Sequence, residues 1–261
     1  MKEKTEIRKF YSKLSKAIQN FNLISEGDRI LIGVSGGKDS VSLLHGLARL
    51  KKYEKTNFEI FAAHIEITSV PYKIDKTYLE NFCYENNIKF IFEKIDVDFS
   101  ERKNKSHCFV CSWHRRKKLF ETAHSFNCNK LALGHHLDDA IETLIINMCY
   151  HNSISSMPAK LDMFDGKIQL IRPLILLKNE EIKKFASAMN IPAEIETCPF
   201  DDKTKRNQAG EIVKEMENRF KFAKNSIFNS MSKIYLKYLP VPENENPIIE
   251  DLNVPNKKDK K

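Results

Sequence analysis

The stretch Ile30-Leu31-Ile32-Gly33-Val34-Ser35-Gly36-Gly37-Lys38-Asp39-Ser40-Val41 constrains this chain most. Ile30 to Val34 is a short, apolar, β-branched run of the kind that forms a buried parallel strand. From Val41 to Leu50, Val41, Leu43, Leu44, Leu47, Ala48 and Leu50 build a broad apolar face at helical spacing. Between strand and helix lie Ser35, Gly36, Gly37, Lys38, Asp39 and Ser40. Glycines let backbone amides approach an anion, and a helix N-terminus favours its charge. Lys38 adds a point charge, and Ser35 and Ser40 add hydroxyls.

Downstream, strand-like runs alternate with helical ones. Residues 58–65, 89–96, 130–134 and 169–173 read as strands, and residues 74–87, 113–126, 138–150 and 178–189 as helices. That alternation predicts an α/β fold with a doubly wound, mostly parallel sheet. Such sheets bind ligands beyond the carboxyl ends of their strands. The glycine turn, His64 and the segment Gly134-His135-His136-Leu137-Asp138-Asp139 all follow strand ends. Ahead of the sheet, Ile7, Phe10, Leu14, Ala17, Ile18 and Phe21 mark an N-terminal amphipathic helix within residues 1–28, packed on the sheet with a basic outer face. The α/β domain is expected over 29–200 and a C-terminal helical segment over 201–239. A disordered tail rich in Pro, Asn, Glu and Lys is expected over 240–261.

The loop is not a mononucleotide P-loop, because Asp39 stands where a hydroxyl should follow the lysine. The dinucleotide pattern Gly-x-Gly-x-x-Gly is also absent. Asp138 and Asp139 open a helix, so either can cap it, or a carboxylate can hold Mg²⁺ near phosphates, with Asp39 a candidate for the same ion. His64 reads equally as a satisfied half-buried histidine or as a crevice residue.

Cys108-x-x-Cys111 places two thiols one helical turn apart, within reach of one metal or cluster, and Cys198 lies far away in sequence. The alternative readings are an ordinary cysteine pair or half of a structural zinc site; zinc could draw on His107 or His114. Arg102, Lys103, Lys105, Arg115, Arg116, Lys117 and Lys118 surround the pair, interleaved with Phe109, Trp113 and His114. Cations that hold phosphates beside aromatics that stack on bases are the terms of RNA recognition. The chain carries 43 Lys and Arg against 35 Asp and Glu, a net charge of +8 that suits a polyanionic partner. No apolar run approaches bilayer length, the N-terminus lacks a signal-peptide core, and six cysteines make no secreted framework. A cytoplasmic location with reduced thiols and no membrane partner is expected.

The loop resembles the PP-loop of ATP pyrophosphatases, whose fold is the adenine nucleotide α-hydrolase-like one. Further motifs are Cys108-x-x-Cys111-Ser112-x-x-Arg115-Arg116, Leu133-Gly134-His135-His136-Leu137-Asp138-Asp139, Met157-Pro158-Ala159-Lys160-Leu161 and Ile171-Arg172-Pro173-Leu174. In this order they resemble the tRNA 2-thiocytidine synthetase (TtcA) family over roughly residues 5 to 235. The resemblance implies ATP and Mg²⁺ as cofactors, tRNA as partner, and adenylation of the 2-oxo group of cytidine at position 32, which sulfur then replaces. It implies catalytic Lys38, Asp39, Asp138 and Asp139, with ATP also held by Ser35, Gly36, Gly37, Ser40, His64, Gly134 and His135. It implies a [4Fe-4S] cluster on Cys108, Cys111 and Cys198, with RNA contacts from Arg115, Arg116 and Lys117. A sulfur donor such as a cysteine desulfurase is expected, and a homodimer is compatible with the sequence. Two departures stand out: Glu196-Thr197-Cys198-Pro199-Phe200 replaces the usual Cys-x-x-Cys-Gly, and Lys117 replaces a glycine. The alternatives are another PP-loop enzyme such as tRNA lysidine synthetase, or a non-catalytic iron-sulfur RNA-binding protein.

Overall fold

The structure is a computed structural model that describes residues 2–53, 56–99, 106–192 and 205–240. Six strands form one sheet: β1 (Arg29–Gly33), β2 (Glu59–Ile67), β3 (Lys89–Ile95), β4 (Lys130–Ala132), β5 (Lys160–Met163) and β6 (Ile168–Ile171). Their order is β3-β2-β1-β4-β6-β5. All neighbours pair in parallel except β5, which lies antiparallel against β6 at the edge. The first four strands match the expected ones closely. The hairpin strand β5 was not anticipated. Its residues Lys160, Leu161, Asp162 and Met163 are half polar, as an edge strand tolerates.

Alternation along β1 assigns the two faces. Ile30 and Ile32 point into a cluster built with Phe10, Leu14 and Ala17 of α1 (Lys2–Asn20), Leu43, Leu44 and Leu47 of α2 (Lys38–Tyr53) and Phe185 of α6 (Asn179–Ala188). Leu31 points the other way, to Leu119, Phe120 and Ala123 of α4 (His107–Ser125). Helices α3 (Lys76–Glu85) and α5 (Leu137–His151) complete the crossovers. The doubly wound sheet expected from the alternation is therefore present. Helix α1 reaches the core by packing on α6, where the Phe10 and Phe185 rings stack at 3.7 Å.

The helical segment expected over 201–239 contains two α-helices, α7 (Lys205–Arg219) and α8 (Ala223–Ser230). They fold back on α5, burying Ala209 and Val213 against Leu137, Ile141 and Ile145. The expected tail lies outside the described residues from 241 onward.

Candidate active site

The sheet order reverses between β1 and β4, and the crevice that such a switch point opens at the strand ends is the expected ligand site. It holds about 310 Å³. Val34, Ser35, Asp39 and Ser40 line it from the β1–α2 turn, His64 from β2, Gly134, His135 and Asp139 from the β4–α5 turn, Arg115 from α4 and Arg206 from α7.

The first turn is held by its own groups. The Ser40 hydroxyl donates to the Gly37 carbonyl at 3.0 Å and accepts from the Ser35 amide at 3.0 Å. Ser40 therefore shapes the loop from within while it also lines the crevice. Tyr72 closes the outside by donating to the Ser35 carbonyl at 2.8 Å. Gly36 has φ of 96°, and a Cβ there would lie 2.2 Å from Ile74, so glycine is required. A Cβ on Gly134 would lie 2.9 Å from the Ser40 amide and 3.0 Å from the Asp39 carbonyl carbon. That absence lets the second turn touch the N-terminus of α2, and the two strand-end turns form one cradle. Lys38 and Asp39 are half-buried and paired with each other at 2.8 Å.

The two aspartates of the second turn part company. Asp139 Oδ2 accepts from the His136 amide at 2.8 Å, while Oδ1 lies 3.6 Å from Arg206 at the crevice. Asp138 is 5% exposed, with Oδ1 2.9 Å from Lys224 Nζ and Oδ2 accepting from the Asn179 amide at 2.8 Å. It ties α5 to α6 and α8, whereas Asp139 lines the crevice. One residue along a helix turns the side chain by about 100°. Lys224 is raised: burial opposes its charge, but its hydrogen bonds to Glu217 and Asp138 prevail.

His64 is 2% exposed, more deeply buried than expected, and still lines the crevice. Its Nδ1 bonds the Val34 carbonyl at 2.7 Å, so Nδ1 carries the proton, and the ring lines the crevice. Burial lowers its pKa. Burial likewise pushes His135 down to about 4, leaving a neutral ring at neutral pH. Arg172 is buried, and its Nε donates to His135 Nδ1 at 3.4 Å while Nη1 donates to the Pro158 carbonyl at 2.6 Å. Arg172 therefore fixes the His135 tautomer, with Nε2 protonated. Glu142 sits one turn beyond Asp139, 3.8 Å from Arg206. Burial, with Asp139 adding to it, pushes Glu142 up to about 7. Arg206, Arg172 and Glu142 were not singled out as site residues in the sequence, although Arg172 stood in a quoted motif.

Arg115 was expected on the RNA face. It is half-buried and lines the crevice, with its guanidinium 5.4 Å from the Tyr72 ring centre and Nε buried without a hydrogen-bond partner among the described residues. Arg116 and Lys117 are exposed. Helix α4 starts six residues earlier than expected, capped by Ser106, whose hydroxyl accepts from the Phe109 amide at 3.3 Å. Cys108 and Cys111 consequently share one face of its first turns, Cys111 buried in a small cluster with Ile67, Val70, Val97 and Val110. Cys198 lies outside the described residues, and among those described no group of three ligating side chains converges. Ile191 and Pro192, the last described residues ahead of it, have no regular structure.

A PP-loop domain model matches residues 5–216. Curated relatives named tRNA-cytidine(32) 2-sulfurtransferase are 34% identical over 236 residues in Geotalea uraniireducens, spanning 87% of this chain and 92% of that protein. One in Acinetobacter baumannii is 33% identical over 87% of this chain and 77% of its own length. The chain belongs to this family of PP-loop proteins. Membership of the PP-loop domain implies ATP binding, and the crevice between β1 and β4 is where the fold provides for it. Among solved structures, the U34-tRNA thiolase NcsA of Methanococcus maripaludis, described with its [4Fe-4S] cluster, superposes with a TM-score of 0.72 at 20% identity. It covers 89% of this chain and 81% of its own, and shows that the fold is shared. No helix among the described residues is long and apolar enough to cross a membrane.

Proposed function

We propose that this chain is an ATP-dependent tRNA sulfurtransferase acting on the 2-oxo group of cytidine at position 32. The observation that carries this is one crevice in which the PP-loop cradle, Asp139 and the cysteine-bearing helix α4 meet, in a chain whose relatives bear that name. The α2 N-terminus and Lys38 receive the ATP phosphates. Arg115 and Arg206 add charge where pyrophosphate departs. The cytidine oxygen attacks the α-phosphorus, the bond to the bridging oxygen breaks, and pyrophosphate leaves. Sulfur at the hydrosulfide level then attacks C2, AMP leaves with the former oxo oxygen, and the proton passes to solvent.

Asp39 and Asp139 face the same crevice with hard carboxylate oxygens, a donor set that fits Mg²⁺. Bound Mg²⁺ would neutralise phosphate charge. Asp39 would exchange Lys38 for the ion, which frees the Lys38 ammonium for a phosphate. Cys108 and Cys111, with Cys198 as third thiolate, are the residues that would hold a [4Fe-4S] cluster, and two thiols on one helical face fit that donor set. Such a cluster would supply an iron able to carry sulfur; zinc on the same thiolates is the rival. A tRNA substrate places the protein in the cytoplasm, and a cysteine desulfurase would supply the sulfur. The test is nucleoside analysis of tRNA from cells with and without the gene. Loss of 2-thiocytidine supports the proposal. An unchanged 2-thiocytidine content refutes it.

A further inference from the structure

Beside the crevice, on the next face of α4, lies a second concavity of about 680 Å³ between α4 and the β5–β6 hairpin. Trp113 and Phe120 of α4 and Phe164 of the hairpin turn supply its apolar floor, and Arg116, Lys117 and Lys167 stand at its rim. Trp113 and Phe164 are 37% and 55% exposed, an unusual cost for large aromatic rings in a soluble domain. Phe164 crosses Phe120 edge to face at 5.1 Å. It is held there by a strained backbone: Phe164 has φ of 54° and Asp165 57°, before Gly166 at 80°. A bulky side chain in the left-handed region is an outlier, of the kind that collects at ligand clamps. Lys117 Nζ lies 5.7 Å from the Trp113 ring centre.

We infer that this groove takes an unstacked nucleobase of a single-stranded RNA loop, with the aromatic rings as the stacking platform and the cations on the flanking phosphates. The inference rests on the proposed tRNA substrate and adds where a loop nucleotide other than the reacting one is held. Apolar rings rimmed by Arg116, Lys117 and Lys167, with Glu121 the one acid among the lining residues, complement a polyanion with π faces. The geometry also fits: α4 presents Arg115 and Leu119 to the crevice and, on the adjoining face, Trp113, Arg116 and Phe120 to the groove. A loop laid along α4 would place one base in the crevice and a neighbour on the platform.

Trp113 is the only tryptophan in the chain, so its fluorescence reports the groove alone. The full-length protein is titrated with an RNA stem carrying a seven-nucleotide loop and with a blunt duplex of the same stem. Quenching by the stem-loop and not by the duplex is expected. Phe164→Ala should weaken stem-loop binding by about tenfold, within the range of one stacked base, and leave the affinity for ATP unchanged; Phe164→Tyr should restore binding. Wild-type affinity in Phe164→Ala with an unmoved Trp113 spectrum would overturn the groove, leave it as a face for a protein partner, and leave the thiolation proposal standing. Absence of stem-loop binding by the wild-type protein would overturn both.

Discussion

Replacing Asp138 by alanine separates folding from chemistry in the paired aspartates. The carboxylate is 5% exposed, 2.9 Å from Lys224 Nζ, and it accepts the amide of Asn179 at the start of α6. Removing it leaves that amide unpaired and takes one of three carboxylates within 4 Å from a lysine that is itself 8% exposed. Breaking a buried ion pair costs about 3–5 kcal/mol. Lys224 keeps Glu217 at 2.7 Å, which holds the loss near the lower end, about 3 kcal/mol. With an unfolding entropy of about 2.1 cal/mol/K per residue, a chain of this length loses about 5–6 °C in Tm. Differential scanning calorimetry reads this directly. At 20 °C, where the variant is still folded, tRNA-dependent pyrophosphate release should persist. The comparator is Asp139→Asn, which keeps an acceptor for the His136 amide. It should melt within about 2 °C of wild type, because the bond to the His136 amide is kept and the ion pair lost is a 3.6 Å contact with a 45% exposed Arg206, yet lose at least about 100-fold in turnover, the scale of one electrostatic group in a reacting site. If Asp138→Ala melts like wild type and is inactive, the assignment of the two carboxylates is reversed.

Other perturbations follow from the same geometry. Lys38→Ala should abolish tRNA-dependent pyrophosphate release with little change in Tm, since its ion pair is with its neighbour Asp39 at a half-buried position; undiminished release would refute the phosphate role. Arg115→Ala should raise KM for ATP, whereas neutralising Arg116 and Lys117 should weaken tRNA binding and flatten its salt dependence by about 0.7–0.9 in slope per lost contact; equal effects of the two changes would refute the division of α4 into a crevice face and an RNA face. Acid should destabilise the protein through His45, whose ring stacks on Phe82 at 4.0 Å and bonds the Tyr78 hydroxyl at 2.7 Å. Burial lowers its pKa to about 4, so below about 6.5 the unfolded chain takes up a proton that the folded chain refuses. Stability should fall from pH 6.5 toward 4, by about 3 kcal/mol at 1.36 kcal/mol per pKa unit. His45→Phe should flatten that part of the Tm profile, and an identical profile would refute the assignment.

The sequence showed the strand–glycine turn–helix unit and the parallel order because both are local: periodicity changes from 2 to 3.6 at the turn, and strand ends carry the polar residues. Strand β5 escaped notice because Lys160 and Asp162 alternate with Leu161 and Met163 over only four residues. The early start of α4 was signalled by Ser106 as a cap, but the basic run ahead of it carried no helical apolar spacing. Which of Asp138 and Asp139 faces the ligand depends on helix phase, and that phase is set by packing against α6 and α8. Arg206 joins the crevice through the fold-back of α7 onto α5, a contact 67 residues away in sequence from Asp139 that no local pattern encodes. Arg172 stood in a recognised motif, yet its bond to His135 needed the β4–β6 pairing to become visible.

The measurement that tests the central claim most directly uses the purified protein, handled without oxygen, with tRNA, ATP, Mg²⁺ and a sulfide source. Pyrophosphate release and the modified nucleoside, identified by mass, are followed together. The account predicts one pyrophosphate for each 2-thiocytidine formed at position 32, and neither product when tRNA or ATP is left out. Pyrophosphate release indifferent to tRNA, or a tRNA product whose added mass is not sulfur for oxygen, would contradict it.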